Sequence, residues 1–318
     1  MKSWLKIEHL LAYFACLVLL LSCSSDSKKP EYTDTPISGD ILIVVDESYQ
    51  PLVQVELDTF MKIYKYANIR VKYLPEAEVF NELMKNDSVR LAIVARPLNK
   101  NEAAFFDGRK IVPRVNKLAV DAVALVTNNQ NPDTLLTYDQ VEKIFSGKTR
   151  TWKEINPKSG LDSIQVVFDN NGSSNSRYLK DKFQLSDPLP GNWSATNSNK
   201  DVVDYVSQNP RALGVVSVNW ISDKDDPEVN SFLSKIKVAE ISSADSTAAH
   251  EYYKPYQAYI ALKQYPFTRD VLIVIREGRN GLGTGFASFA VGDQGQRLVR
   301  LMGMLPATMP IRIIKVNS

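Results

Sequence analysis

The chain predicts an α/β fold of two doubly wound lobes joined by a hinge, and three observations predict it. From Gly39 onward short apolar runs of strand length alternate with segments of helical spacing, the order that builds a mostly parallel sheet with helices on both faces. One apolar run, Ala119–Val126, is long enough to pass from one sheet into another. Near Thr137 the alternation then begins a second series.

The elements follow in order. Ile41–Val45 reads as a buried parallel strand and Val53–Tyr66 as a helix, then Ile69–Tyr73 as a strand and Val79–Met84 as a helix. Leu91–Ala95 is the third strand, Asn99–Phe106 a helix, and Ala119–Val126 the crossing strand. In the second series Thr137-Tyr138-Asp139-Gln140 is a capping box, opening a helix that stops at Phe145-Ser146-Gly147. Strand Ile164–Phe168, helix Ser174–Phe183, helix Asp201–Gln208, strand Leu213–Val218 and a strand over Ile236–Ile241 come next. The tail, through Tyr256–Leu262, Val271–Arg276, Phe286–Phe289 and Gln294–Met302, returns to the alternating pattern. No internal repeat and no heptad pattern interrupts it.

In open α/β sheets ligands collect beyond the carboxyl ends of strands. Three such ends carry polar chemistry: Asp46-Glu47-Ser48, Ala95-Arg96-Pro97, and the stretch from Asp169 to Arg177. The third is the most informative. A strand that stops at Asn170-Asn171-Gly172-Ser173 and restarts as a helix at Ser174 or Asn175 aims free N–H groups and a positive dipole end at one spot. Ser173, Ser174 and Ser176 add hydroxyls, Asn171 and Asn175 tolerate left-handed turns, and Arg177 offers a planar fork for two oxygens. The same residues also suit an ordinary capped turn. Arg96 is open to a solvated-turn reading, and Ser48 to that of an N-cap on the following helix. The candidate ligand-binding set is Ser48, Arg96, Asn170, Asn171, Ser174, Asn175, Ser176 and Arg177.

The beginning of the chain has a different character. Lys2 and Lys6 precede an apolar run from Leu10 to Leu21, which at about 1.5 Å per residue covers about 18 Å of a hydrocarbon core about 30 Å thick. Residues 1–22 therefore read as a processing signal. Leu20-Leu21-Ser22-Cys23 resembles the bacterial lipobox, whose cysteine is lipid-modified and becomes the mature N-terminus. Residues 23–38, poor in apolar side chains, then read as a tether. With Cys16 in the signal and Cys23 lipidated, no disulfide is expected. The net charge of +2 gives no nucleic-acid footprint, so anion selectivity must come from a local site. Histidine is confined to His9 and His250, which leaves little material for a histidine triad or a histidine-rich metal site. No catalytic residue, metal or cofactor is expected, and the chain is read as a binder, not an enzyme.

Several stretches together resemble the substrate-binding proteins of bacterial ABC-type phosphate transporters, and more closely their Bacteroidetes lipoprotein relatives. They are Asp121–Val126 with Asn131-Pro132 and Leu136-Thr137; Phe145-Ser146-Gly147-Lys148 and Trp152-Lys153-Glu154-Ile155; Ser174-Asn175-Ser176-Arg177, similar to the family's phosphate loop; Asn209–Val216; Tyr265-Pro266-Phe267-Thr268-Arg269; and Gly295-Gln296 with Gly303–Pro306. They occur in the family's order from about Gly39 to Pro310. The resemblance implies a periplasmic-binding-protein-like fold of the class II type. Lobe 1 would hold residues 39–120 and 252–318, and lobe 2 residues 121–251. It also implies an extracytoplasmic monomer, anchored to the membrane through lipid on Cys23, that captures an oxyanion, inorganic phosphate first among them, for an ABC-type permease.

The departures from the family pattern matter too. Asn175 stands for the loop's glycine, Ser176 for its threonine, and Asn170 for the basic residue four positions before the serine. The family's acidic acceptor would fall near Ala95, with Arg96 beside it. Asp46 and Glu47 place carboxylates in a loop that usually carries hydroxyls, and Leu74-Pro75-Glu76-Ala77 offers no hydroxyl. Phosphate differs from sulfate by a proton that needs an acceptor, which Asp46 or Glu47 could supply. The alternative is an anchored sensing or interaction protein that keeps the fold with altered or lost anion specificity. The Tyr252-Tyr253-Lys254-Pro255-Tyr256 cluster is open to two readings, a partner surface or hinge packing.

Overall fold

The computed structural model describes residues 34–186, 189–222, 227–244 and 251–310. Cys23, the signal, most of the tether and His250 lie outside the described residues. The elements are β1 (Ser38–Asp46), α1 (Gln50–Ile63), β2 (Tyr66–Leu74), α2 (Glu76–Lys85), β3 (Val89–Val94), α3 (Lys100–Gly108) and β4 (Arg114–Asn128). Then come β5 (Leu135–Leu136), α4 (Tyr138–Phe145), α5 (Trp152–Ile155), β6 (Gln165–Phe168), α6 (Ser174–Lys182), β7 (Trp193–Ala195), α7 (Asn199–Gln208) and β8 (Ala212–Ser217). The chain continues through α8 (Pro227–Lys235), β9 (Ile236–Val238), β10 (Glu240–Ser242), β11 (Tyr252–Tyr253), α9 (Gln257–Ala261), β12 (Thr268–Ile275), α10 (Leu282–Val291), α11 (Asp293–Leu301) and β13 (Leu305–Pro306).

Strand β4 organises the sheet, whose order is β2-β1-β3-β12-β4-β8-β6-β7. Its residues Arg114–Ala122 pair with β12, and Val123–Thr127 pair with β8. One long strand thus belongs to two half-sheets, and the change of partner falls between Ala122 and Val123. From Leu118 to Asn128 every β4 residue except Val120 is buried, which explains an apolar run interrupted only by Asp121. Within the halves β1 is parallel to β2 and β3, and β6 is parallel to β7 and β8. The sheet is mixed rather than mostly parallel, because β12 runs antiparallel to β3 and β4, and β4 antiparallel to β8. The run Ile236–Ile241 is divided at Ala239, whose N–H donates to Leu125 O while the N–H of Glu240 donates to Thr134 O. One part therefore joins β4 and the other joins β5.

Local chemistry fixes the helix starts. Asn99 with Glu102 and Thr137 with Gln140 form capping boxes, and Thr151, Ser173 and Ser198 cap α5, α6 and α7 through their side chains. Helix α7 lies so close on β8 that a Cβ at Gly214 would stand 2.6–2.9 Å from methyls of Val206, Val126 and Val202. A methyl group there would push the helix off the sheet. In the second half-sheet Phe145, Phe168, Phe183 and Trp193 pack ring against ring, with Phe168 and Trp193 centroids 4.5 Å apart. Tyr253, Tyr256 and Tyr259 pack on one another, and Tyr253 is buried, which accounts for part of the tyrosine cluster by local packing. Among the described residues no helix is long and apolar enough to cross a membrane.

Candidate anion-binding site

Two strand ends from different half-sheets meet. At the end of β1, Asp46 Oδ1 accepts the Ser48 N–H at 3.1 Å, turning the chain so that the Ser48 hydroxyl points inward. At the end of β6, Asn170 Oδ1 accepts the Gly172 N–H at 2.8 Å and Ser173 Oγ accepts the Ser176 N–H at 3.1 Å. An Asx turn thus leads directly into a capped helix, with Ser174, Asn175 and Ser176 buried in its first turn. The two ends touch: Ser48 Oγ lies 3.2 Å from Ser174 Oγ and 3.5 Å from Asp169 Oδ2.

Arg269 sits at the centre, at the end of the Tyr265–Arg269 stretch. The register of β12 against β4 places it opposite Asp121. Its Nε and Nη2 each lie 3.0 Å from Asp121 Oδ2, Nη1 donates to Ser174 Oγ at 3.0 Å, and Nη2 donates to Asn175 Oδ1 at 2.8 Å. The Tyr49 ring lies 5.4 Å from the guanidinium. Asp121 Oδ1 accepts from Ser217 Oγ at 2.8 Å, and Asn219 Nδ2 donates to Ser48 O at 2.7 Å. Asn199, at the start of α7, ties the acids together: Nδ2 donates to Glu47 Oε2 at 2.6 Å and to Asp169 Oδ2 at 3.1 Å, while Oδ1 accepts from Asn175 Nδ2 at 3.1 Å.

The cluster is rich in carboxylates. Burial, followed by the charge of Glu76, pushes Asp46 up to about 7, with Arg269 pulling the other way. Burial and then the charge of Asp169 raise Glu47 to about 8. Burial also raises Asp169 and Asp121, opposed in Asp121 chiefly by Arg269. Two buried carboxylate oxygens, Asp46 Oδ2 and Asp169 Oδ1, have no hydrogen-bond partner. An unpaired buried acceptor costs about 1–3 kcal/mol, so each is a place for an incoming donor.

The residues singled out in the sequence divide into two groups. Ser48, Ser174 and Asn175 converge on Arg269. The others do not join them. Asn170 builds the turn, and the Ser176 hydroxyl turns back to donate to Asn171 O and Ser173 O. Asn171 is exposed on the outer face of the loop, where with Ser176, Lys180 and Trp193 it lines a cavity of about 300 Å³. Arg96 grips Glu102 with two hydrogen bonds of 2.7 and 2.8 Å and lies over the Phe80 ring. Arg177 is held by Glu76 and, at 2.9 Å, by Asp181. Asn199, Ser217 and Asn219 carry no signal of their own in the sequence, whereas Arg269 closes the Tyr265–Arg269 stretch and Asp121 opens the Asp121–Val126 stretch, both part of the family resemblance. Among the described residues no group of three or more His, Cys, Asp or Glu is arranged to hold a metal ion.

Known proteins share this architecture. The phosphate-binding protein PstS of Staphylococcus aureus is 22% identical over 252 residues, covering 77% of this chain and 72% of its own. A Clostridium perfringens protein whose crystal structure holds bound phosphate superposes with a TM-score of 0.70 at 19% identity, over 85% of this chain and 100% of that one. The ABC-type phosphate transport receptor of Vibrio cholerae gives 0.62 at 21% identity, again over 85% and 100%. The fold is accordingly periplasmic-binding-protein-like. The model of the PBP superfamily domain matches residues 30–294, and the chain belongs to that superfamily.

Proposed function

We propose that this protein is an extracytoplasmic solute-binding protein that captures a proton-bearing oxyanion, inorganic phosphate first, and delivers it to an ABC-type permease. One observation carries the reading: hydroxyl and guanidinium donors from Ser48, Ser174 and Arg269 stand together with two unpartnered buried carboxylate oxygens, Asp46 Oδ2 and Asp169 Oδ1. Donors alone would suit any oxyanion. Where they are ionised, which for Asp46 means above about pH 7, the acceptors ask for a ligand that brings its own proton, which phosphate does at neutral pH and sulfate does not. The names of the relatives support the choice of phosphate.

Ser48 and Ser174 are in direct contact, so a ligand reaches them only when the half-sheets part. The point at which β4 exchanges β12 for β8 is the natural hinge, with lobes at residues 39–120 plus 252–318 and at 121–251. Calorimetric titration tests the site. Phosphate should bind with one-to-one stoichiometry, and sulfate at least about 100-fold more weakly, within the discrimination a site built for a hydroxyl can reach. Equal affinity for the two anions contradicts the assignment. A second reading, an anchored sensing protein with altered anion specificity, is favoured by Arg96 and Arg177 both being held by carboxylates.

Anchoring through lipid on Cys23 belongs to the same proposal, supported by the lipobox and the tether. Replacement Cys23→Ser is expected to abolish labelling by radioactive palmitate and to move the protein from the membrane to the soluble fraction. A variant that stays in the membrane fraction with its label would refute the anchor.

A further inference from the structure

Glu76 is the first residue of α2 and is 2% exposed. Its Oε1 accepts the Ala95 N–H at 2.9 Å and lies 3.3 Å from Arg177 Nη2. Its Oε2 accepts from Arg177 Nε, and Arg96 Nε stands 3.9 Å away. A backbone N–H and two guanidiniums around a planar pair of oxygens are the surroundings that a bound oxyanion would receive. Here the chain's own carboxylate receives them. Glu76 and Ala95 follow strands of the first half-sheet, whereas Arg177 follows β6 of the second, so the ion pair ties the halves together. The neighbouring backbone does the same: Ala77 N–H donates to Gly172 O at 3.3 Å. A Cβ at Gly172 would lie in ordinary contact with Ala77 and Pro75, at 3.6 and 3.8 Å.

We propose that Glu76 is a built-in surrogate anion, a specificity-determining residue that holds the cleft shut without ligand and that a free oxyanion must displace from Arg177. The proposal rests on the oxyanion reading above. A tethered carboxylate competes at an effective concentration on the order of millimolar. A free anion at micromolar concentration therefore gains Arg177 only through its further contacts with Ser48, Ser174 and Arg269. Removing the carboxylate should open the empty protein and, by releasing Arg177, tighten anion binding.

The test pairs small-angle X-ray scattering with phosphate titration, on the wild-type chain and on Glu76→Gln and Glu76→Asp. Glu76→Asp keeps the charge but withdraws it by one methylene, so the test does not depend on one variant folding. The unliganded wild type should scatter as a closed molecule whose radius of gyration is unchanged by saturating phosphate. Both variants should expand when unliganded and contract on adding phosphate, with phosphate affinity raised at least tenfold in Glu76→Gln. If the unliganded wild type is already as expanded as the variants, or if Glu76→Gln binds phosphate no more tightly than wild type, the surrogate role is wrong while phosphate capture stands. If no form binds phosphate, yet the wild type is closed and the variants are open, the surrogate stands as the latch and the choice of ligand fails instead.

Discussion

Replacing Arg269 with methionine is expected to destabilise the protein by about 3–5 kcal/mol, a large share of the roughly 5–15 kcal/mol by which a domain is stable. Arg269 is 6% exposed and Asp121 is wholly buried, with Nε and Nη2 each 3.0 Å from the same carboxylate oxygen. The pair itself contributes little net stability, because desolvating both charges offsets their attraction. The cost appears when one partner goes, for Asp121 is then a buried charge left with the Ser217 hydroxyl and the Val218 backbone but no counter-charge. Ser174 Oγ and Asn175 Oδ1 lose their guanidinium at the same time. Urea denaturation followed by tryptophan fluorescence measures the loss. Adding Asp121→Leu to Arg269→Met should restore part of it, since two apolar side chains leave no charge stranded. A loss below about 1 kcal/mol in the single variant would mean that water reaches Asp121.

The second large effect is on the pH dependence of stability. Asp46 rises from 3.8 to about 7 and Glu47 from 4.5 to about 8 on folding. Carboxyls with raised values bind protons more tightly in the folded state. Their contribution is fully present below the unfolded values, near pH 4, and is lost as pH rises through the folded values, near pH 7 to 8. The melting temperature of the unliganded protein is therefore expected to fall by several degrees between about pH 5 and about pH 9. Asp46→Asn, which cannot ionise, should flatten that slope, and Asp46→Asn with Glu47→Gln should flatten it further. A melting temperature that rises over this interval in the wild type would show that the acids are ionised at no cost in the folded protein.

Much of the fold is legible because it is written in contiguous residues. Leu91–Val94 and Ala122–Val126 are apolar because both faces are covered, and Thr137 with Gln140 announces its helix within four positions. The long-range pairings are not written that way. Asp121 and Arg269 are separated by 148 positions and meet only through the register of β12 on β4. Ser48 looked like a cap for the next helix. That helix instead has Tyr49 at its N-cap with no side-chain bond, and the Ser48 hydroxyl is drawn to Ser174, 126 positions away. Arg177 shows both sides of the matter. Its pairing with Asp181 one turn on is a local rule, whereas its partner Glu76 lies 101 positions back and is brought to it by the meeting of the half-sheets. The loop from Asp169 to Arg177 was readable as a helix-start cradle. Which of its groups face inward was not, because Asn170 and Ser176 spend their hydrogen bonds within the turn.

The most direct measurement is a crystal structure of the protein grown with phosphate. The account predicts one phosphate between the strand ends, its oxygens about 2.7–3.2 Å from Ser48 Oγ, Ser174 Oγ, the Arg269 guanidinium and the Arg177 guanidinium released from Glu76, with Asp46 Oδ2 or Asp169 Oδ1 receiving a P–OH. A phosphate seated instead on the outer face of the loop, among Asn171, Lys180 and Trp193, or a cleft that keeps its Ser48–Ser174 contact at saturating phosphate, would contradict it.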